Sequence, residues 1–159
     1  MSNWSTLLQS DDYLGVKKSL KEGADVNEKS EHGESVIAQA LRLRCSDELL
    51  ELLVGAGADL FDADDEGVSV FDVAITYNNP TMVRKIIDEG VNVNETRRAS
   101  GFTPLMAAVC YNRKEIVELL MANGADTAIT DKLGLTGADY ARKTHRKQML
   151  GLLGEEGAE

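Results

Sequence analysis

The chain has 159 residues, 43% of them hydrophobic but only 5% aromatic, and a formal net charge of −10. That length suits one domain or a short repeat array with an aliphatic core. The acidic balance excludes a general binder of nucleic acid or anionic membranes, which needs a basic surface, and no apolar run approaches the ~20 residues of a membrane span.

In chain order, the predicted elements recur. Residues 4–10 and 12–21 read as two short helices, the first with a polar face, forming a capping unit over residues 1–29 that ends in Gly23-Ala24-Asp25. The next unit, 30–63, opens at Gly33 and places Ser35 before a first helix containing Ala38 and Ala40. Its second helix carries Leu49, Leu50, Leu53 and Val54 and ends at Gly57. Unit 64–97 repeats this with Gly67, Ser69, Ala74, Met82, Val83, Ile86, Ile87 and Gly90. Unit 98–130 does so with Gly101, Thr103, Pro104, Ala107, Ala108, Ile116, Val117, Leu120, Met121 and Gly124. The last unit, 131–154, opens at Gly134 and predicts helices over 136–143 and 146–153; residues 155–159 read as a frayed tail.

Physical chemistry gives each recurring residue a role. Ser35, Ser69, Thr103 and Thr136 are N-caps, accepting from an otherwise unpaired first-turn amide. Pro104 occupies the first helical position, where its missing N–H costs nothing. Gly23, Gly57, Gly90 and Gly124 supply the left-handed residue that ends the second helix. Helices this short do not stand alone in water, so the units must stack. Two extra residues, near 44–46 and 96–98, fall in connections, where insertions are tolerated.

Gly101-Phe102-Thr103-Pro104-Leu105-Met106-Ala107-Ala108, followed by Lys114-Glu115-Ile116-Val117-Glu118-Leu119-Leu120 and Asn123-Gly124-Ala125-Asp126, resembles an ankyrin repeat. That family has this period and a Thr-Pro-Leu-His-x-Ala signature. The resemblance extends over nearly the whole chain. It implies an all-α ankyrin-repeat solenoid of about five helix-turn-helix units with β-turn fingers. The second and third units carry Ser-Val-Ile-Ala (35–38) and Ser-Val-Phe-Asp (69–72) in place of Thr-Pro-Leu-His, so the family's histidine bonding between fingers has no histidine there.

Several segments imitate catalytic or ligand motifs. Gly55-Ala56-Gly57 begins like a dinucleotide loop, but Leu60 stands where the third glycine belongs and a helix, not a strand, precedes it. The run 62–67 imitates a calcium loop whose twelfth position, Val73, lacks the required carboxylate. It reads instead as a solvated acidic turn. His32 and His145 fall far apart in a stack, and neither Cys45 nor Cys110 has a histidine at helical spacing. Both cysteines read as ordinary free thiols, and with no secretory signal evident the expected setting is the cytoplasm. The chain is expected to be a monomer and not an enzyme, with no catalytic residues, metal or cofactor.

The resemblance implies binding of another protein through the concave face, as an adaptor, scaffold or inhibitor. The positions it implies are Arg42, Leu43, Thr76, Tyr77, Cys110, Tyr111 and Lys143 on the first helices, and Asp65, Glu66, Phe102, Leu133 and Leu135 on the fingers. Tyr77 and Tyr111, equivalent in adjacent units, are the expected anchors, with Phe102 on a nearby finger and Leu43, Leu133 and Leu135 adding exposed apolar area. Residues 1–80 carry 16 acidic and six basic residues and the remainder 11 of each, an asymmetry that serves either solubility or partner choice. Two alternatives are a substrate for turn-asparagine hydroxylation at Asn27 or Asn94, and a small-molecule or metal carrier for haem or calcium.

Overall fold

A hydroxyl side chain opens four of the first helices. Ser35, Ser69, Thr103 and Thr136 lie in extended backbone, and each accepts from the amide three residues on. These amides belong to Ala38, Asp72, Met106 and Asp139, at 3.0–3.3 Å. The computed structural model, which describes residues 3–155, accordingly starts α3 (Val36–Arg42), α5 (Val70–Thr76), α7 (Pro104–Cys110) and α9 (Gly137–Lys143) at those caps; α1 (Trp4–Gln9) precedes them. The second helices are α2 (Tyr13–Lys21), α4 (Asp47–Gly55), α6 (Pro80–Asp88), α8 (Lys114–Ala122) and α10 (Lys147–Leu152).

What turns each first helix into a hairpin is a single left-handed residue. Asp11, Arg44, Asn78, Asn112 and His145 hold φ between +50° and +59°, one in every connection. Three are Asp or Asn, whose short polar side chains tolerate this region best. The hairpins stack with first helix on first helix (α1, α3, α5, α7, α9) and second helix beside second helix. Ala40, Ala74, Ala107, Ala108 and Ala141 are fully buried between the first helices and allow their close approach. Leu41, Leu49, Leu53, Ile75, Ile86, Ile116, Leu120 and Met149 fill one continuous aliphatic core. The architecture is therefore all-α, ten helices in pairs among the described residues, with no sheet beyond isolated bridges at Lys29–Ser35 and Ala63–Ser69 in two fingers.

Some expectations change in detail. Trp4 and Leu8 are buried, so only the outer side of α1 is polar. Cys45 lies on the α3–α4 connection as expected but is buried, its Sγ donating to the Leu8 carbonyl at 3.2 Å. Of the predicted tail, Glu155 reaches Arg142 at 3.8 Å; residues 156–159 lie outside the described residues.

Glycine replacements test this account. Gly57 has φ +98° and open space around an added Cβ, so Gly57→Ala bears only the left-handed cost, about 1 kcal/mol. At Gly67, φ +80°, the new Cβ would also run into the Arg97 carbonyl. Gly55 sits in α4 with open space around it, and alanine there is expected to add about 1 kcal/mol of stability. Urea midpoints should rise in the order Gly67→Ala, Gly57→Ala, wild type, Gly55→Ala; any other order contradicts these environments.

Candidate functional site

The last helical residue and C-cap of each first helix lie in register along one edge of the stack. Arg42, Thr76, Cys110 and Lys143 end the helices, and Leu43, Tyr77 and Tyr111 cap three of them. Unpaired carbonyls at these ends attract cations. Arg44 donates to the Tyr77 carbonyl at 3.1 Å, Arg113 to the Thr76 carbonyl through Nε and Nη2 at 3.2 and 2.6 Å, and Arg146 to the Cys110 carbonyl at 3.1 Å. Partial burial, and then the neighbouring charge of Arg44, pull the Arg113 pKa below its usual value.

These arginines decide which anchors are open. The Arg44 guanidinium lies 5.9 Å from the centre of the Tyr77 ring, which is half-buried against the core. Tyr111 is 48% exposed. The expected tyrosine pair thus reduces to one open side chain, because an arginine from the preceding unit covers the other. Leu43 is also half-buried on the core, and Cys110 is half-buried. Lys143 is exposed, and Arg42 makes a two-pronged bond to Glu34 at 2.9 Å for each contact.

The finger positions form a second strip, at the opposite end of the first helices. A seven-residue helix puts the two strips about 10 Å apart. Asp65 and Glu66 are exposed at the second finger, and Leu133 at the last finger is 79% exposed. Leu135 is only half-exposed. Phe102 does not join Tyr111, which lies at the far end of α7. It packs edge-on against Tyr140 at 5.4 Å, with Arg98 5.4 Å from its ring centre. Leu43 and Phe102 therefore offer less open apolar area than expected, because each packs on the core or the next unit, and Leu135 is only partly open.

Three kinds of polar tie were not foreseen. Asn27 donates to the Gly57 carbonyl and accepts from the Asp59 amide one unit on, at 3.1 and 2.8 Å. Asn94 does the same with Gly124 and Asp126, at the same distances. Both turn asparagines thus use their amides as bridges. The arginine ties at Arg113 and Arg146 form the second kind. The third replaces the missing histidine: Asp72 closes a capping box with Ser69 and faces Arg98 at 3.6 Å, the two side chains 3% and 18% exposed. Arg98 turns inward from the place where Ser30, Asp64 and Asp131 accept finger amides. Periodicity carried a signal for the first two kinds, since Asn27 and Asn94 are two repeats apart and Arg113 and Arg146 one; the Asp72–Arg98 pair occurs once and carried none.

Burial raises the Asp72 pKa above the ordinary carboxylate value, although Arg98 and Ser69 counter it. Asp131, accepting from Tyr140 and from the finger amides, is held below that value, and the Tyr140 hydroxyl is pushed up to about 12, mainly by this bond. In the acidic finger Asp62 bonds Lys29 at 2.9 Å and Asp64 accepts from the Glu66 and Val68 amides, so these oxygens organise the turn. His32 and His145 are both exposed. Burial raises the Cys45 thiol to about 11 and also raises Cys110. No helix among the described residues is long and apolar enough to cross a membrane.

A sequence profile described as ankyrin repeats, three copies, matches residues 45–131. The ankyrin repeat protein YahD of Escherichia coli (strain K12) is 26% identical over 189 aligned positions, covering 94% of this chain and 93% of YahD. An ankyrin repeat-containing protein of Treponema pallidum (strain Nichols) is 30% identical over 140 positions, 87% of this chain and 46% of that protein. The E3 ubiquitin-protein ligase hecd-1 of Caenorhabditis elegans is 30% identical over 107 positions, 67% of this chain but 4% of the ligase. The chain spans less than half the length of most of the relatives it matches.

Two measurements check the site chemistry. With iodoacetamide at pH 8, Cys110 should be alkylated faster than Cys45, whose raised pKa leaves only about one thiol in a thousand ionised. Equal rates in the native protein, followed by mass spectrometry, would contradict the burial of Cys45. For Asp72, a raised native pKa means that protonation favours folding. That contribution is complete below about pH 3.9 and is lost as pH rises through the native value. The stability of wild type relative to Asp72→Asn, from urea curves, should therefore fall between about pH 3 and 7; a constant difference would mean Asp72 is not desolvated.

Proposed function

The chain belongs to the ankyrin-repeat family, and on that premise we propose that it is a non-catalytic binding module holding a partner protein across its first helices and fingers. Repeats of this kind are generally protein-binding modules. The observation that carries the reading is Tyr111: a large aromatic side chain, 48% exposed, in the row where the preceding unit's Tyr77 is covered by an arginine. Packing does not require an open ring at that place, and an open tyrosine beside polar neighbours is a typical interface anchor.

Around it stand groups of both signs that the fold leaves exposed. Lys143 lies one unit further along the same edge, while Asp65 and Glu66 lie on the finger strip nearer the N-terminus. Leu133 adds apolar area at the last finger. A partner that spans both strips must bridge the first helices between them, about 10 Å. The charges would then set its direction along the stack more than its affinity.

Affinity capture with immobilised protein, followed by mass spectrometry and titration of the captured partner, tests the reading. Tyr111→Ala should weaken capture about thirtyfold, the worth of a 2 kcal/mol anchor, without lowering the urea midpoint. Tyr77→Ala should instead lower the midpoint, since that ring packs on the core. Capture undiminished by Tyr111→Ala combined with Leu133→Ala would reject this surface.

A further inference from the structure

The second helices do not line up evenly. α2 packs on α4, α6 on α8 and α8 on α10, but the joint between α4 and α6 is looser than any of these. The two hairpins are tied at their first-helix ends by Arg44 on the Tyr77 carbonyl and at their fingers by the Asp65 amide on the His32 carbonyl, but the bonds at the ends of α4 and α6 differ from those of the other second helices. The N-terminus of α4 is drawn toward the first unit: Asp11 accepts from both the amide and the hydroxyl of Ser46, at 3.0 and 3.2 Å, and Cys45 donates to the Leu8 carbonyl. On the other side Asn79 spends its side chain on the α6 cap, at 3.0 Å from the Met82 amide, where Arg113 and Arg146 in later units reach back to the preceding hairpin. Phe61 stands in the turn where Asn27 and Asn94 bridge their joints. A connection one residue longer precedes α4.

The result is a cleft of about 350 Å³ between α4 and α6, with Leu50, Val54 and Met82 among its walls. Two features of α4 are not explained by the fold. Gly55 lines the cleft from a helical position where an added Cβ would meet nothing within 4 Å, so a helix-weakening residue is kept where there is room for a side chain. Asp47 and Glu51, one turn apart on the same wall, are exposed and make no ion pair. Asp47 suits a helix N-terminus; Glu51, mid-helix, has no such role. On the α6 side the only cation lining the cleft, Lys85, already reaches Glu89 at 3.7 Å.

We infer that this cleft, on the opposite layer of the stack from Tyr111, is a second docking site. Its occupant is a segment of a partner protein that inserts one large apolar side chain between α4 and α6 and sets a lysine or arginine against Asp47 and Glu51. A cleft of this volume holds one such anchor, and a helical segment places its basic residue one turn from the anchor, matching the spacing of the two carboxylates.

A fluorescein-labelled amphipathic peptide of leucine and lysine in helical period serves as the probe, read by anisotropy, with a leucine–glutamate peptide of the same pattern as its control. Gly55→Leu sets a bulky apolar side chain at the rim of the cleft without adding charge, and its melting temperature should not fall below wild type. It should weaken binding of the leucine–lysine peptide about tenfold, as should Glu51→Lys, whereas Tyr111→Ala should leave binding unchanged. Unaltered binding by Gly55→Leu, or equal binding of the leucine–glutamate peptide, overturns the assignment. Because Tyr111→Ala reads the other layer, failure here leaves the first-helix surface standing, and failure there leaves the cleft.

Discussion

Burial across the joints between hairpins is what the rest of the molecule depends on, because its helices run to only six to nine residues. Helices that short do not persist alone in water, and each hairpin has an apolar face it cannot cover by itself. The next hairpin covers it, with alanines between the first helices and larger aliphatics between the layers. This constraint explains the recurrence of caps and glycines, which keep every hairpin the same size so that the faces meet. It also explains the scarcity of aromatic residues, since small and aliphatic side chains let repeated surfaces interlock at one spacing.

Apolar burial has little direction, so the polar ties decide how each joint is set. Two joints are bridged at the turns by asparagines, and the later ones at the helix ends by arginines, each engaging carbonyls that would otherwise lack a partner. The joint between the α3–α4 and α5–α6 hairpins lacks the turn bridge, and its arginine tie, from Arg44 to the Tyr77 carbonyl, holds the end of α5 and not α6, while Asp11 draws α4 toward the first unit. A repeat protein is often pictured as uniform along its axis. Here the frame is uniform in its apolar contacts and varies in its hydrogen bonds.

Much of this could be read from one sequence because period is a local signal. Ser35, Ser69, Thr103 and Thr136 reveal helix starts by standing two residues after a glycine that recurs with the repeat, and the structure places all four as caps. The exposure of Tyr77 was not legible. Its position in the repeat matches that of Tyr111, and what separates them is Arg44, a residue of another unit whose left-handed backbone aims it forward. Asp72 posed a similar difficulty: an acid in place of the family's histidine reads as a loss until Arg98, at a finger position that elsewhere holds an acceptor, is found facing it. Period identifies equivalent backbone positions, whereas side-chain partners depend on departures from equivalence in a neighbouring unit.

That distinction bears on function. Residues that repeat are committed to holding the stack, and substituting them alters stability before anything else. Exposed side chains that no neighbouring unit covers, such as Tyr111, Leu133 and Glu51, are the ones the frame leaves free. In this chain they divide between two layers with the core between them. A partner engaging the first helices need not displace one seated between α4 and α6. Coupling between the two would run from α6 to α7 by way of α5 or α8, and the fully buried alanines of α5 and α7 leave little room for movement, so the stack is built to hold two guests side by side more readily than to make one answer to the other.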